Sequence, residues 1–155
     1  MLLTTCLFPD FNNIISNSDL MSLADSDEYE SVRDVQEIYA DYVPFGPHLY
    51  SFNIRDGCYH GSKWNPVSLT RCVDGLVSLL LSTRKYPKIR YLGSSEMCKR
   101  LAEEVNNLMH KEDGLFTRAT SGNSDSSAPV LLISDRKIDA YTPLLNQVNF
   151  QNYCR

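Results

Sequence analysis

The chain has 155 residues, 43% of them hydrophobic and 22% charged, which is enough apolar material for one domain or for parts of two. Its net charge is -4, and no stretch is basic enough to make nucleic acid the default partner. No run approaches the ~20 apolar residues that span a bilayer. The longest apolar region, 73–81, is interrupted by Asp74, Gly75 and Ser78, so contact with a membrane is expected only through a partner.

The opening Met-Leu-Leu-Thr-Thr lacks a basic region, so no secretory signal is expected. Cys154 is followed only by Arg155, which is not a prenylation box. Five cysteines are scattered without a CxxC, as in a reduced cytosolic protein. Charge is uneven. Residues 10–43 hold nine acids and one base, Arg33, while residues 44–155 hold fourteen bases and ten acids. This reads either as two ordinary solvated faces or as two modules with different partners.

In chain order, 6–11 reads as a short strand that Pro9 confines to an edge. Ser18-Asp19 offers an N-cap to a short helix carrying Leu20, Met21, Leu23 and Ala24. Val32, Val35, Ile38, Tyr39 and Tyr42 recur at helical spacing, yet 35–43 is also rich in β-branched and aromatic residues, and periodicity alone leaves both open. Pro44-Phe45-Gly46-Pro47 is a stop, 49–54 alternates as a strand, and 55–62 reads as a polar loop.

Asn65-Pro66 is a helix start, an N-cap followed by proline at the first helical position. The apolar stripe Leu69, Cys72, Val73, Leu76, Leu79 and Leu80 carries this helix to Lys85, before Pro87. A strand at 89–92 follows, then a helix over Glu96–Lys111 capped by Ser94 or Ser95, with Met97, Leu101, Val105 and Leu108 on one face. Residues 117–127 read as a loop, and Val130–Ile133 as a central strand buried on both faces. Another helix begins after Pro143. The β-α-β-α-β order from Leu49 onward predicts an α/β fold, a Rossmann-like parallel sheet with flanking helices. Reaching only the start of a third helix, that unit reads as cut.

No chemical constellation is complete. Cys58-Tyr59-His60 with Cys72 matches no zinc spacing and lacks a fourth ligand, and no orienting group completes a Cys/His nucleophile. There is no GxGxxG and no GxxxxGK[ST], so no nucleotide or other cofactor is expected. Gly93-Ser94-Ser95 could hold an anion at a helix start but reads more simply as a capped turn. Asp135, Arg136 and Asp139 follow a strand, where α/β enzymes place catalytic groups. A small hydrolase or phosphotransfer domain using Asp135 is therefore the alternative to a structural ion-pair network of these three. The cluster Arg84, Lys85, Lys88, Arg90, Lys99 and Arg100 is a solvated face or a partner surface.

The run Leu131-Leu132-Ile133-Ser134-Asp135-Arg136-Lys137-Ile138-Asp139-Ala140-Tyr141-Thr142-Pro143-Leu144-Leu145-Asn146-Gln147 resembles the LLxxDRxxDxxTPLLxQ signature of the Sec/Munc (SM) family of syntaxin-binding proteins. Ser22-Leu23-Ala24, Val35-Gln36-Glu37, Ile89-Arg90-Tyr91 and Lys99-Arg100-Leu101-Ala102-Glu103 are similar to a vacuolar-sorting branch, and the likeness covers about 12–147. After Gln147 that family usually continues Trp-Thr-Tyr-Gln-Ala, whereas this chain reads Val148-Asn149-Phe150 and reaches Arg155, as a truncated form would.

The resemblance implies that 1–54 is the end of a first α/β domain and 55–155 the first half of a second. It implies a strand over 35–43. It also implies a regulator of vesicle docking and fusion, partnered by a syntaxin of the trans-Golgi network and endosomes. Such a protein is cytoplasmic and peripheral on those membranes, and is not an enzyme. The pocket for the syntaxin N-terminal peptide would fall on Ile15, Leu20, Val32, Val35 and Glu37. Four apolar side chains and an acid suit an apolar anchor flanked by basic residues.

Overall fold

The computed structural model describes residues 6–59, 63–120, 129–138 and 141. The fold is mixed α/β, with four helices and eight short strands among the described residues. Strand β1 (Asp10–Phe11) lies parallel to β2 (Gln36–Glu37), and a further bridge joins Leu7 to Val32. Helix α1 (Asn17–Ser26) connects them. Its cap is Ser16 rather than Ser18: the Ser16 hydroxyl accepts the Asp19 N–H at 3.1 Å, so the helix starts earlier than the Ser-Asp pair indicated.

The strand expected over 35–43 is only Gln36–Glu37. Val43 already belongs to β3 (Val43–Gly46), which pairs antiparallel with β4 (Leu49–Ser51), so the proline-rich stop is a hairpin. Pro44 is tolerated there because a two-stranded ribbon has only edges. A second antiparallel pair, β5 (Cys58–Tyr59) with β6 (Lys63–Trp64), begins within what read as a polar loop over 55–62.

Helix α2 (Pro66–Ser82) begins as the Asn65-Pro66 pair dictates, with the Asn65 side chain accepting the Val67 N–H at 3.1 Å. It stops short of Lys85. Arg84 turns into the left-handed region (φ 54°), its N–H donates to the Leu81 carbonyl, and the Lys85 N–H donates to that of Leu80. This is a Schellman ending with arginine where glycine is usual, which is why no sequence cue marked it. At Gly75 the Phe52 ring comes so close that an added Cβ would sit 2.5 Å from its Cδ1.

Strand β7 (Lys88–Tyr91) pairs parallel with β8 (Val130–Ile133) across α3 (Glu96–Lys111) and α4 (Asp113–Thr120). Residues 117–120, read as loop, are helical, and 121–128 lie outside the described residues, as does the helix expected after Pro143. Helix α3 buries Cys98, Leu101, Ala102, Val105 and Met109, while Met97 and Leu108 stay half-buried, so its core face is turned slightly from the expected one. Strand β8 is not buried on both faces. Ile133 is buried, but Val130 is 63% and Leu132 70% exposed. Helix α3 packs on the β7–β8 pair, while Val130 and Leu132 are left exposed. The 49–54 strand shortens to β4 and pairs with β3, so among the described residues the parallel pairs are β1–β2 and β7–β8.

Candidate partner-binding groove

The core lies in α2, α3, α4 and the end of β8, with Val77, Val105 and Phe116 fully enclosed. Ile14, Tyr39 and Phe52 bring the first fifty-odd residues against it from one side. At this junction runs a groove of about 770 Å³. One wall is the entry to α1 (Asn13 to Ser18, then Leu20). The other is the end of α3 and the start of α4, with Leu108, Lys111, Glu112 and Leu115. Glu37, Asp41 and Asp74 complete the lining.

Long-range polar bonds hold the first wall. Asn13 donates from Nδ2 to Asp41 Oδ2 and to the Asp74 carbonyl, both at 3.1 Å. Arg71 grips Asp41 twice, through Nη1 to Oδ2 at 2.6 Å and Nη2 to the carbonyl at 3.2 Å. The Asp41 N–H donates to Ser78 Oγ, which is fully buried in α2. Glu37 accepts the Ile15 N–H at 2.9 Å and the Tyr39 hydroxyl at 2.8 Å, fixing the turn into α1. A carboxylate has about four lone-pair sites, so Glu37 keeps capacity for a further donor.

Of the five residues assigned to a peptide pocket, Ile15, Leu20 and Glu37 meet in this groove, while Val32 and Val35 lie outside its lining. All five are half-buried. Val32 is placed by Asp27, whose carboxylate accepts the Ser31 and Val32 N–H groups at 2.9 and 2.7 Å. Those two bonds hold the Asp27 carboxyl below its ordinary value. Asn13, Arg71, Asp41 and Asp74 were missed by sequence reasoning. They are 28 to 61 positions from their partners, and no local pattern joins them.

The other candidates resolve differently. Asp135 accepts the Ser95 hydroxyl and the Lys137 N–H, both at 2.9 Å. Ser95 in turn caps α3 by accepting the Cys98 N–H. Asp135 is thus tied by hydrogen bonds to the start of a helix. Arg136 is exposed and forms no ion pair with another described residue, and Asp139 lies outside the described residues. Gly93-Ser94-Ser95 is the capped turn that leads into α3. Burial pushes the Cys72 thiol up to about 11, which disfavours the thiolate that a nucleophile or metal ligand requires. His60 is outside the described residues, and among those described no cluster of three or more His, Cys, Asp or Glu could hold a metal ion. No described helix is long and apolar enough to cross a membrane.

A Sec1 family model matches residues 8–152. Vacuolar protein sorting-associated protein 45 of Homo sapiens is 51% identical over 148 residues, covering 95% of this chain and 25% of the relative. The protein of that name in Saccharomyces cerevisiae is 40% identical over 144 residues. The chain thus spans about a quarter of the length of the curated relatives it matches. Among solved structures, the SM protein Vps45 in complex with the Qa SNARE Tlg2 superposes with a TM-score of 0.78 at 39% identity, over 92% of this chain and 25% of that one. Sly1p in complex with an N-terminal peptide of Sed5p, at 23% identity and a TM-score of 0.63, shares the fold.

Proposed function

The chain belongs to the Sec1 family, and we propose that it binds a syntaxin-type SNARE and thereby regulates vesicle docking and membrane fusion in Golgi–endosome–vacuole transport. The observation that carries this reading is the likeness, over nearly its whole length, to a Vps45 solved together with a Qa SNARE. The chain acts by contact, with no catalytic step, and Asp135 serves to fix the turn into α3 through Ser95, which caps that helix. Residues 1–54 form the end of the family's first domain, and 55–155 the first half of its second. The β7–β8 pair is the seed of a Rossmann-like sheet, consistent with its parallel register across two helices. Its site of action is cytoplasmic and peripheral, on Golgi and endosomal membranes reached through the SNARE.

The peptide contact falls on Ile15, Leu20, Val32, Val35 and Glu37. Support comes from their half-burial: side chains that served only the core would be enclosed, as Val77 and Val105 are. Fluorescence polarisation with a labelled syntaxin N-terminal peptide, run beside a thermal melt, tests the assignment. Leu20→Arg is expected to abolish binding with little change in Tm, because a half-exposed arginine keeps its hydration. Normal binding by the folded variant refutes the site, and loss of folding returns Leu20 to the core.

A further inference from the structure

Four carboxylates and one ammonium line the groove, and three of the carboxylates are engaged. Glu37 holds Ile15 and Tyr39, Asp41 holds Asn13 and Arg71, and Glu112 lies 3.8 Å from Lys111. The fourth is different. Asp74 gives its backbone carbonyl to Asn13, but its side chain, half-buried in the lining, has no hydrogen bond or ion pair among the described residues. Ile14, Ile15 and Leu115, all half-buried, line the same groove. We infer that the groove docks a partner segment presenting a cationic side chain next to an apolar one, with the Asp74 carboxylate as counter-charge.

Physical chemistry favours that occupant. A carboxylate half withdrawn from water loses part of its hydration, and an arriving guanidinium or ammonium supplies charge-assisted hydrogen bonds that offset the loss. Burial, followed by the charge of Asp41, already pushes the Asp74 carboxyl above its ordinary range, as expected where negative charge lacks compensation. Arg71 cannot compensate fully, because its two hydrogen bonds go to Asp41. The groove volume suits a few side chains, since ligand sites typically span roughly 300–1,000 Å³. An apolar wall beside an unspent acid selects against both an anionic and a purely aliphatic segment.

The inference shares its groove with the proposed SNARE contact and deepens that reading, since Ile15, Leu20 and Glu37 line it too, but it turns on Asp74, which is not one of that contact's residues. A chain that fails to bind a syntaxin peptide can still dock a cation here. The test is a titration of the full chain with the peptide acetyl-Leu-Arg-Leu-amide, followed by amide NMR, alongside its citrulline counterpart, which keeps the shape of arginine and loses the charge. Saturable shifts are expected at Ile15, Asp74 and Leu115. Affinity should fall by about tenfold or more with citrulline and in Asp74→Asn. Asp113→Asn removes the same charge from an exposed position off the groove and should bind as the native chain does. Absence of saturable shifts overturns the inference, as does equal binding of the two peptides or full affinity in Asp74→Asn. Should Asp74→Asn fail to fold, the two peptides on the native chain decide alone.

Discussion

Between Cys6 and Ile54 no residue is buried, and helix α1 has no buried side chain at all, whereas from Ser68 to Ile133 the chain encloses Val77, Val105, Met109 and Phe116 almost completely. The first region is kept in shape by side chains bonding to backbone: Asp27 to Ser31 and Val32, Glu37 to Ile15, Ser16 to Asp19. The second is kept in shape by apolar packing of α2 on α3 and α4. Each such hydrogen bond contributes about 1 kcal/mol net, while burying one large aliphatic side chain contributes about 1.5–3 kcal/mol. The region carrying the proposed peptide contact is therefore the more adjustable one, fastened to a stiffer body at Asp41, Asn13 and Phe52. Low local stability is the common property of segments that rearrange around a ligand.

The sharpest test of this contrast is a charge placed in each region. Val105→Asp puts an unpaired carboxylate at a site with 0% exposure and should cost on the order of 3–5 kcal/mol, eliminating the cooperative thermal transition. Ile15→Asp, at a half-buried site, should leave that transition in place. Equal losses would show that the two regions share one core.

Gly75→Ala probes the fastening. In an exposed helix this change stabilises by about 1 kcal/mol, but here the new methyl meets the Phe52 ring, so a net loss of about 1–3 kcal/mol is expected in a denaturant melt. Combining it with Phe52→Leu should recover part of that loss. If Gly75→Ala alone stabilises, Phe52 does not pack as described.

A milder break is Asp41→Asn. Both partners of the Arg71–Asp41 pair are about a third exposed, so solvent screening keeps the effect near about 1 kcal/mol. Hydrogen exchange should quicken at Ile15 and Ile38 while Val105 stays protected. Uniform quickening would contradict two regions of unequal stability.

The smallest expected effect is a pH dependence set by Asp27 in the first region and opposed by Asp74 in α2. The folded-state value of Asp27 lies below its ordinary 3.8, so its stabilisation is present above 3.8 and is lost as pH falls through the folded value. Asp74 has the opposite sign: its folded value lies above 3.8, so its burial costs stability as pH rises through that value. Exchange at the Val32 amide, followed on acidification, should accelerate in the native chain and be fast at every pH in Asp27→Ala.

Much of the helical half was legible because its cues are local. Asn65-Pro66 starts α2 and the Ser95 turn starts α3 by bonds that span two or three residues, and spacings of three and four mark their core faces. The signature from Leu131 was likewise readable as family resemblance. The strands at 43–46 and 58–59 were not, because they owe their pairing to neighbours, while 36–37 is what remains of the strand that the family resemblance implied over 35–43. Val130–Ile133 reads as a strand from its β-branched and aliphatic run, but whether its faces are covered depends on what packs there, and only Ile133 is buried.

For the groove the division is the same. Composition marked 10–43 as acidic, since charge belongs to residues taken singly, and the family resemblance pointed to Ile15, Leu20, Val32, Val35 and Glu37 within it. Folding decided which of them meet: it left Val32 and Val35 outside, and brought in Asp74 through a bond to Asn13, 61 positions away. No period along the chain encodes that approach. It follows from docking the first region against α2, where the Asp41 N–H finds the buried Ser78 hydroxyl and Gly75 leaves room for the Phe52 ring.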